Sequence, residues 1–131
     1  MNRAELAQHL GKKPRKSDED LIQMALVEHL RLFAYPDAIW YMVDNASNKS
    51  RAAAGRAKAM GLRAGVYDLA GSVPGGTAWH LELKTADGVL SPAQIDFGAL
   101  CERNGCFHTV CYRLDDALTW LRAIGVMKPE N

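Results

Sequence analysis

The chain has 131 residues, of which 48% are hydrophobic and 24% charged, and its formal net charge is +1 at pH 7. These values are typical of one globular domain, and no apolar run approaches the ~20 residues that a membrane-spanning helix needs. The near-neutral total gives no argument for a nucleic-acid partner. The first residues lack the apolar core and cleavage site of a secretory signal, so we expect a cytoplasmic protein that is not inserted in a membrane.

The predicted elements begin after a basic arm at residues 1–16. Ser17 or Asp18 can cap a helix, because apolar residues then follow at helical spacing as far as Phe33, where a tyrosine–proline pair soon ends the pattern. The aromatic and β-branched run at residues 38–43 predicts a core strand.

A second helix is predicted over residues 51–60, which are rich in alanine and are followed by a glycine. Residues 66–70 and 79–85 are predicted to pair as antiparallel strands, joined by a flexible glycine-containing linker. Ser91 followed by Pro92 is a strong signal for the start of a third helix.

The last predicted elements are a strand at residues 106–112 and a helix at residues 115–125. The full order is helix, strand, helix, strand, strand, helix, strand, helix, or αβαββαβα. This order predicts a single α/β domain at residues 17–127 with a mixed β-sheet flanked by helices, followed by a tail at residues 128–131.

Two carboxylates and a lysine lie within apolar runs of the predicted strand pair. Asp68 ends one run, and Glu82 and Lys84 are two residues apart in the other. Alternation along a strand puts Glu82 and Lys84 on the same face. If Asp68 points to that face as well, two carboxylates meet beside an ammonium group, and the backbone carbonyl of Leu83 can add a third oxygen.

Such a group of oxygen ligands suits Mg²⁺ or Mn²⁺ beside a substrate phosphate. A metal held there would polarise a phosphodiester and activate a water molecule, while the lysine would orient the water and offset the growing negative charge. The alternative is an ordinary salt bridge between Lys84 and either carboxylate, which needs no metal. An E-x-K triplet alone does not decide between them.

Basic residues are concentrated between residues 45 and 67, where the chain has no acidic residue. A local patch of this kind can bind phosphates although the whole chain is nearly neutral, but it can equally be a solvated surface. The residues concerned are Lys49, Arg51, Arg56, Lys58 and Arg63.

Three spaced motifs in this order resemble the VRR-NUC branch of the PD-(D/E)XK nuclease superfamily. They are residues 61–69 with Asp68, residues 81–84 with Glu82 and Lys84, and residues 88–94 with a serine-proline-x-glutamine helix start. The likeness extends from about residue 18 to residue 125 and includes an asparagine after the first strand, Asn45. The resemblance implies a restriction-endonuclease-like fold.

The resemblance also implies a DNA endonuclease that depends on Mg²⁺ or Mn²⁺. Asp68 and Glu82 would be the metal ligands and Lys84 the catalytic lysine, with Gln94 supporting the phosphate or a water molecule at the start of the third helix. The family places a further glutamate on the first helix, and we assign it to Glu19, with Glu28 as the rival. Asn45 and the basic residues that follow it would contact the phosphates flanking the cut.

Stand-alone members of this family, from bacteria and phages, resemble enzymes that act on branched DNA such as four-way junctions, and they often form homodimers. We therefore expect branched DNA as the substrate and a homodimer as the assembly. The chain departs from the family pattern at Tyr67, where the family usually has a proline that shapes the backbone and is not a ligand. Two alternatives remain, a DNA-binding module that does not cleave and a restriction-like nuclease that reads sequence.

Overall fold

The computed structural model describes residues 18–44 and 50–130, and these ranges contain four helices and four strands. The predicted order αβαββαβα is confirmed. The predicted arm at residues 1–16, together with Asn45 and Lys49, lies outside the described residues. The elements are α1 (Asp18–Phe33), β1 (Ile39–Met42), α2 (Arg51–Ala59), β2 (Leu69–Ser72), β3 (Ala78–Leu83), α3 (Pro92–Arg103), β4 (Phe107–Cys111) and α4 (Leu114–Ala123).

The four strands form one mixed sheet in the order β1-β2-β3-β4. The pairs β1–β2 and β2–β3 are antiparallel, and β3–β4 is parallel. A parallel neighbour requires a crossover connection, and α3 supplies it between β3 and β4. The predicted mixed sheet and the antiparallel pair β2–β3 are both confirmed. The prediction of a core strand at residues 38–43 is wrong, because β1 lies at the edge of the sheet and its residues are mostly exposed.

Both central strands are shifted from their predicted bounds. The predicted strand at residues 66–70 is observed as β2, Leu69–Ser72, because the chain remains extended through Gly71, where the backbone of β1 comes very close. The prediction of a flexible linker starting at Gly71 is therefore wrong. Asp68 consequently lies just before β2 and Lys84 just after β3, so both are at strand ends.

The sides of the sheet differ in what they bury. Trp79, Leu81 and Leu83 alternate along β3 into the main apolar core, which α1 and α4 cover. His80 and Glu82 face the other way, toward α3, where a small cluster of Tyr67, Phe97 and Cys101 packs. The predicted alternation along β3 is confirmed, and it puts the glutamate on the side opposite the main core.

Helix α2 contributes nothing to either core. None of its residues is buried, and its N-terminus is capped by Ser50, whose hydroxyl accepts a hydrogen bond from the backbone N–H of Ala53. Within residues 18–44 and 50–130, no helix is both long and apolar enough to cross a bilayer.

Replacing Gly71 with alanine tests the strand assignment. A Cβ at this position would lie 1.8 Å from the carbonyl oxygen of Ile39, so β1 and β2 must separate to admit it. We expect a loss of about 1–3 kcal/mol in the free energy of unfolding, measured by chemical denaturation. The control is Gly55→Ala on α2, where a Cβ meets nothing within 4 Å and alanine favours the helix. Equal stability of the two variants would contradict the register.

Candidate functional site

Asp68 and Glu82 are held together by hydrogen bonds that cross between their strands. The backbone N–H of Asp68 donates to Glu82 Oε1 at 3.2 Å, and the backbone N–H of Leu83 donates to Asp68 Oδ2 at 2.8 Å. Each carboxylate therefore accepts a hydrogen bond from the segment that carries the other. The structure thus brings together the two acidic residues singled out in the sequence.

Gln94 joins this pair from the first turn of α3. Its Nε2 atom donates to Glu82 Oε2 at 2.8 Å. Its Oε1 accepts from the backbone N–H of Ser91 at 2.9 Å, and the Ser91 hydroxyl accepts from the backbone N–H of Gln94, which completes a capping box. Because the cap holds the oxygen of the carboxamide, the amide nitrogen is directed at Glu82.

Lys84 supplies the positive charge of the site. Its Nζ lies 3.4 Å from Glu82 Oε2, and the lysine side chain is 15% exposed. The ordinary salt bridge weighed above is thus present, yet it balances one ammonium against two carboxylates. The backbone N–H of Lys84 donates to the carbonyl of Cys111, so the lysine follows β3 with its backbone still tied to β4.

The first turn of α1 approaches the same end of the sheet. Glu19 Oε1 accepts a hydrogen bond from the backbone N–H of Thr85 at 3.3 Å, whereas Glu28 is exposed nine residues further along the helix. At 1.5 Å per residue, this separates the two glutamates by ~13 Å along the helix axis. The geometry thus favours Glu19 over its rival.

Asp20, for which the sequence predicted no role in the site, has a small electrostatic effect on Asp68. Its negative charge raises the pKa of Asp68, in addition to the larger effect of burial. An acidic residue in the first turn of a helix is normally explained by the helix dipole. The position of Asp20 in the sequence therefore gave no sign that its charge would affect the pKa of Asp68.

Four of the residues predicted to contact DNA are described by the structure, and all four are exposed. Arg51, Arg56 and Lys58 lie on α2, and Arg63 follows it in the loop that leads to Tyr67 and Asp68. In the sequence, these residues precede Tyr67 and Asp68. Asn45 and Lys49 lie outside the described residues. Their role in binding DNA stays a prediction.

The pKa values of both acidic side chains in the site are raised. Burial raises the pKa of Glu82, and the nearby charge of Asp68 raises it further, to about 7, although Lys84 acts in the opposite direction. Burial also raises the pKa of Asp68, against the hydrogen bond from Leu83. A cation placed between the two groups would favour their ionised forms.

Mg²⁺ or Mn²⁺ fits this set of ligands. Within residues 18–44 and 50–130 no cluster of three or more His, Cys, Asp or Glu side chains is arranged to hold a metal. Mg²⁺ does not need one, since it keeps several waters and typically takes one or two carboxylates together with substrate phosphates. The adjacent carboxyl groups of Asp68, which is half-buried, and Glu82, which is buried, both have raised pKa values and match that requirement.

The raised pKa of Glu82 predicts how the stability of the metal-free protein depends on pH. Between the ordinary pKa of 4.5 and the folded value of about 7, the folded state binds more protons than the unfolded state. This contribution is therefore fully present below pH 4.5 and is lost as the pH rises through about 7. Thermal unfolding in EDTA should show a flatter dependence on pH over this range for Glu82→Gln than for the wild type.

The matched control for this measurement is Glu28→Gln, which makes the same chemical change at an exposed position of α1. Its profile should follow that of the wild type. If the stability of Glu82→Gln changes with pH as steeply as that of the wild type, the raised pKa of Glu82 is contradicted.

Comparisons with known proteins support the same fold. No protein-family model matches the chain, and no curated protein does. Among solved structures, one described as a "VRR_NUC domain protein" matches with a TM-score of 0.67 at 17% sequence identity, over 82% of this chain and 90% of that one. The chain therefore has an α/β fold like that of a VRR_NUC domain protein, as its motifs predicted.

Proposed function

We propose that this protein is a metal-dependent DNA endonuclease that hydrolyses phosphodiester bonds. The observation that carries the proposal is the meeting of Asp68, Glu82, Lys84 and Gln94 at one end of the sheet, where a buried and a half-buried acidic side chain share one ammonium group. The likeness to the fold of a VRR_NUC domain protein supports a nuclease-type domain.

Asp68 and Glu82 would hold the Mg²⁺ or Mn²⁺ ion, and the backbone carbonyl of Leu83 is the third proposed ligand. A bound divalent cation supplies Lewis-acid polarisation of the scissile phosphate and of water. The hydrogen bonds from the backbone of Asp68 and Leu83 fix both carboxylates before any ligand arrives. Such preorganisation avoids a cost of rearrangement during the reaction.

Lys84 has two proposed roles. Its ammonium group offsets the charge that develops on the phosphate, and it orients the attacking water by hydrogen bonding. Gln94 holds Glu82 through its amide nitrogen and lies in the first turn of α3, where backbone N–H groups favour a nearby phosphate. Glu19, tied to Thr85, is the first-helix carboxylate of the site.

The DNA backbone would be bound by the exposed cations on and after α2. A helix that buries none of its residues and carries Arg56 and Lys58 can follow a phosphate backbone without disturbing the core. Asn45, Lys49, Arg51 and Arg63 complete the proposed interface. Branched DNA as the substrate and a homodimer as the assembly belong to the proposal through family resemblance, since a two-fold dimer provides one site for each of two strands.

The activity is tested with linear duplex, single-stranded and four-way-junction DNA in Mg²⁺, Mn²⁺ or EDTA. We expect cleavage only with a divalent cation and best on the junction. Lys84→Ala should lower the cleavage rate by about 10² to 10³-fold, the scale found when a group that stabilises transition-state charge is removed. Lys128→Ala, an exposed lysine near the C-terminus, is the matched control.

Cleavage that survives EDTA, or an equal rate for Lys84→Ala, would overturn the mechanism. Binding of DNA without any cleavage in either metal would instead favour the non-cleaving DNA-binding module, the alternative to which Tyr67 points. Thermal unfolding of each variant separates lost chemistry from lost structure.

Charge reversal on α2 tests the proposed DNA interface. Arg56→Glu combined with Lys58→Glu should weaken DNA binding and reduce the slope of log affinity against log salt by about 2, because two phosphate contacts are lost. The cleavage rate at saturating DNA should stay close to that of the wild type. Arg103→Glu with Lys128→Glu makes the same change in charge at other exposed positions, and an equal loss of affinity there would refute the interface.

A further inference from the structure

The segment just before Asp68 lies directly against the first turns of α3. Gly65 has a φ of +88°, and a Cβ on it would lie 2.3 Å from the carbonyl oxygen of Ala93. Only glycine suits both this backbone conformation and this spacing. The chain therefore enters the site in van der Waals contact with the helix that carries Gln94.

Tyr67 adds a specific contact two residues later. Its side chain is 3% exposed, and its ring packs edge-on against Phe97 with the centroids 5.0 Å apart. Its hydroxyl donates a hydrogen bond to the backbone carbonyl of Gln94 at 3.4 Å. The hydroxyl lies over Gly98, where a Cβ would be 2.6 Å from it, so α3 has a gap at the point where the tyrosine approaches.

These contacts form a closed circuit through the proposed site. Tyr67 bonds to the backbone of Gln94, the Gln94 side chain bonds to Glu82, and Glu82 accepts from the backbone N–H of Asp68, which follows Tyr67 in the chain. Movement of α3 would strain all of these contacts together. A proline at position 67 has no hydroxyl and cannot make the first of them.

We propose that Tyr67 is a positioning residue that fixes α3 so that the Gln94 carboxamide meets Glu82. The proposal rests on the proposed nuclease function for its effect on catalysis, but the positioning itself is a statement about structure. In this chain a tether between the Asp68 segment and α3 takes the place of the backbone constraint that proline supplies in the resembled family. The competing explanation is that Tyr67 only fills the small core beside Phe97.

The contact with Gly98 allows a double-mutant cycle that separates the two explanations. In Gly98→Ala the new methyl group meets the Tyr67 hydroxyl, whereas in Tyr67→Phe with Gly98→Ala the nearest atom of the ring is the Cζ carbon, 3.8 Å away, an ordinary contact. We expect Gly98→Ala to disturb the site and Tyr67→Phe to relieve most of that disturbance. Such non-additivity is the signature of direct coupling.

The main readout is the side-chain NH₂ signal of Gln94 in ¹⁵N NMR spectra, assigned by its disappearance in Gln94→Ala. Gly98→Ala should shift this signal and speed its exchange with water, because the bond to Glu82 is displaced. The double variant should return it close to its position in Tyr67→Phe. Tyr112→Phe, which removes an exposed hydroxyl, is the control and should leave the signal unchanged.

Two further readouts connect the tether to the function. The increase in Tm with Mn²⁺ concentration reports metal affinity without any turnover. Gly98→Ala should weaken this affinity and lower the cleavage rate about tenfold or more at unchanged KM for DNA, since small displacements of positioned groups have large kinetic effects. Tyr67→Phe alone should have a smaller effect of about two- to tenfold, the scale of one hydrogen bond.

The proposal is overturned if Gly98→Ala lowers Tm equally in both backgrounds and leaves the Gln94 signal unchanged, because Tyr67 then only packs. If Gly98→Ala does not fold, Tyr67→Phe carries the test, and an unchanged Gln94 signal in that variant overturns the proposal. A wild type that neither binds Mn²⁺ nor cleaves DNA refutes the proposed function, whereas the Gln94 signal still decides the positioning role.

Discussion

The candidate site depends on the close approach of two acidic side chains, Asp68 and Glu82, at one end of the sheet. Removing a charge from water costs several kcal/mol unless hydrogen bonds or opposite charges compensate. Here the compensation comes from three directions: from the backbone of β3, from the first turn of α3 and from Lys84. Strand β3, the first turn of α3 and Lys84 must therefore meet at one point, and this requirement constrains the local structure of the site.

The two faces of the sheet have different roles: one packs into the main apolar core, and the other carries the proposed site. Trp79, Leu81 and Leu83 enter the main core with α1 and α4, so this face stabilises the domain whatever the other face does. The opposite face can then hold a group such as Glu82, whose pKa is raised because burial and the charge of Asp68 make its ionised form less favourable in the folded protein. Helix α2 stands apart from both faces. Since none of its residues is buried, its basic side chains are available to an external partner.

Periodicity and capping residues predicted the order of the elements, whereas the convergence of Asp68, Glu82 and Gln94 was implied by the family resemblance of the spaced motifs. What it missed depends on distant partners. The end of β2 depends on how closely β1 approaches Gly71, and the role of Tyr67 depends on a helix residue 27 positions away. The choice between Glu19 and Glu28 shows most clearly what the sequence alone cannot predict. Nine residues at ~100° each put them on opposite faces of α1, but only the packed structure tells which face meets Thr85.

The salt bridge and the proposed nuclease site are not competing descriptions of Lys84. A buried ion pair is weak evidence for stability, because well-packed apolar residues of similar volume are often as stable or more so. If Lys84 served only to neutralise buried charge, one carboxylate would suffice, and Asp68 beside Glu82 would be a cost without a benefit. Asp20 adds further negative potential at Asp68. Two acidic groups thus share one lysine, and the proposed divalent cation with a bound phosphate is the kind of ligand that would account for both acidic groups and the lysine.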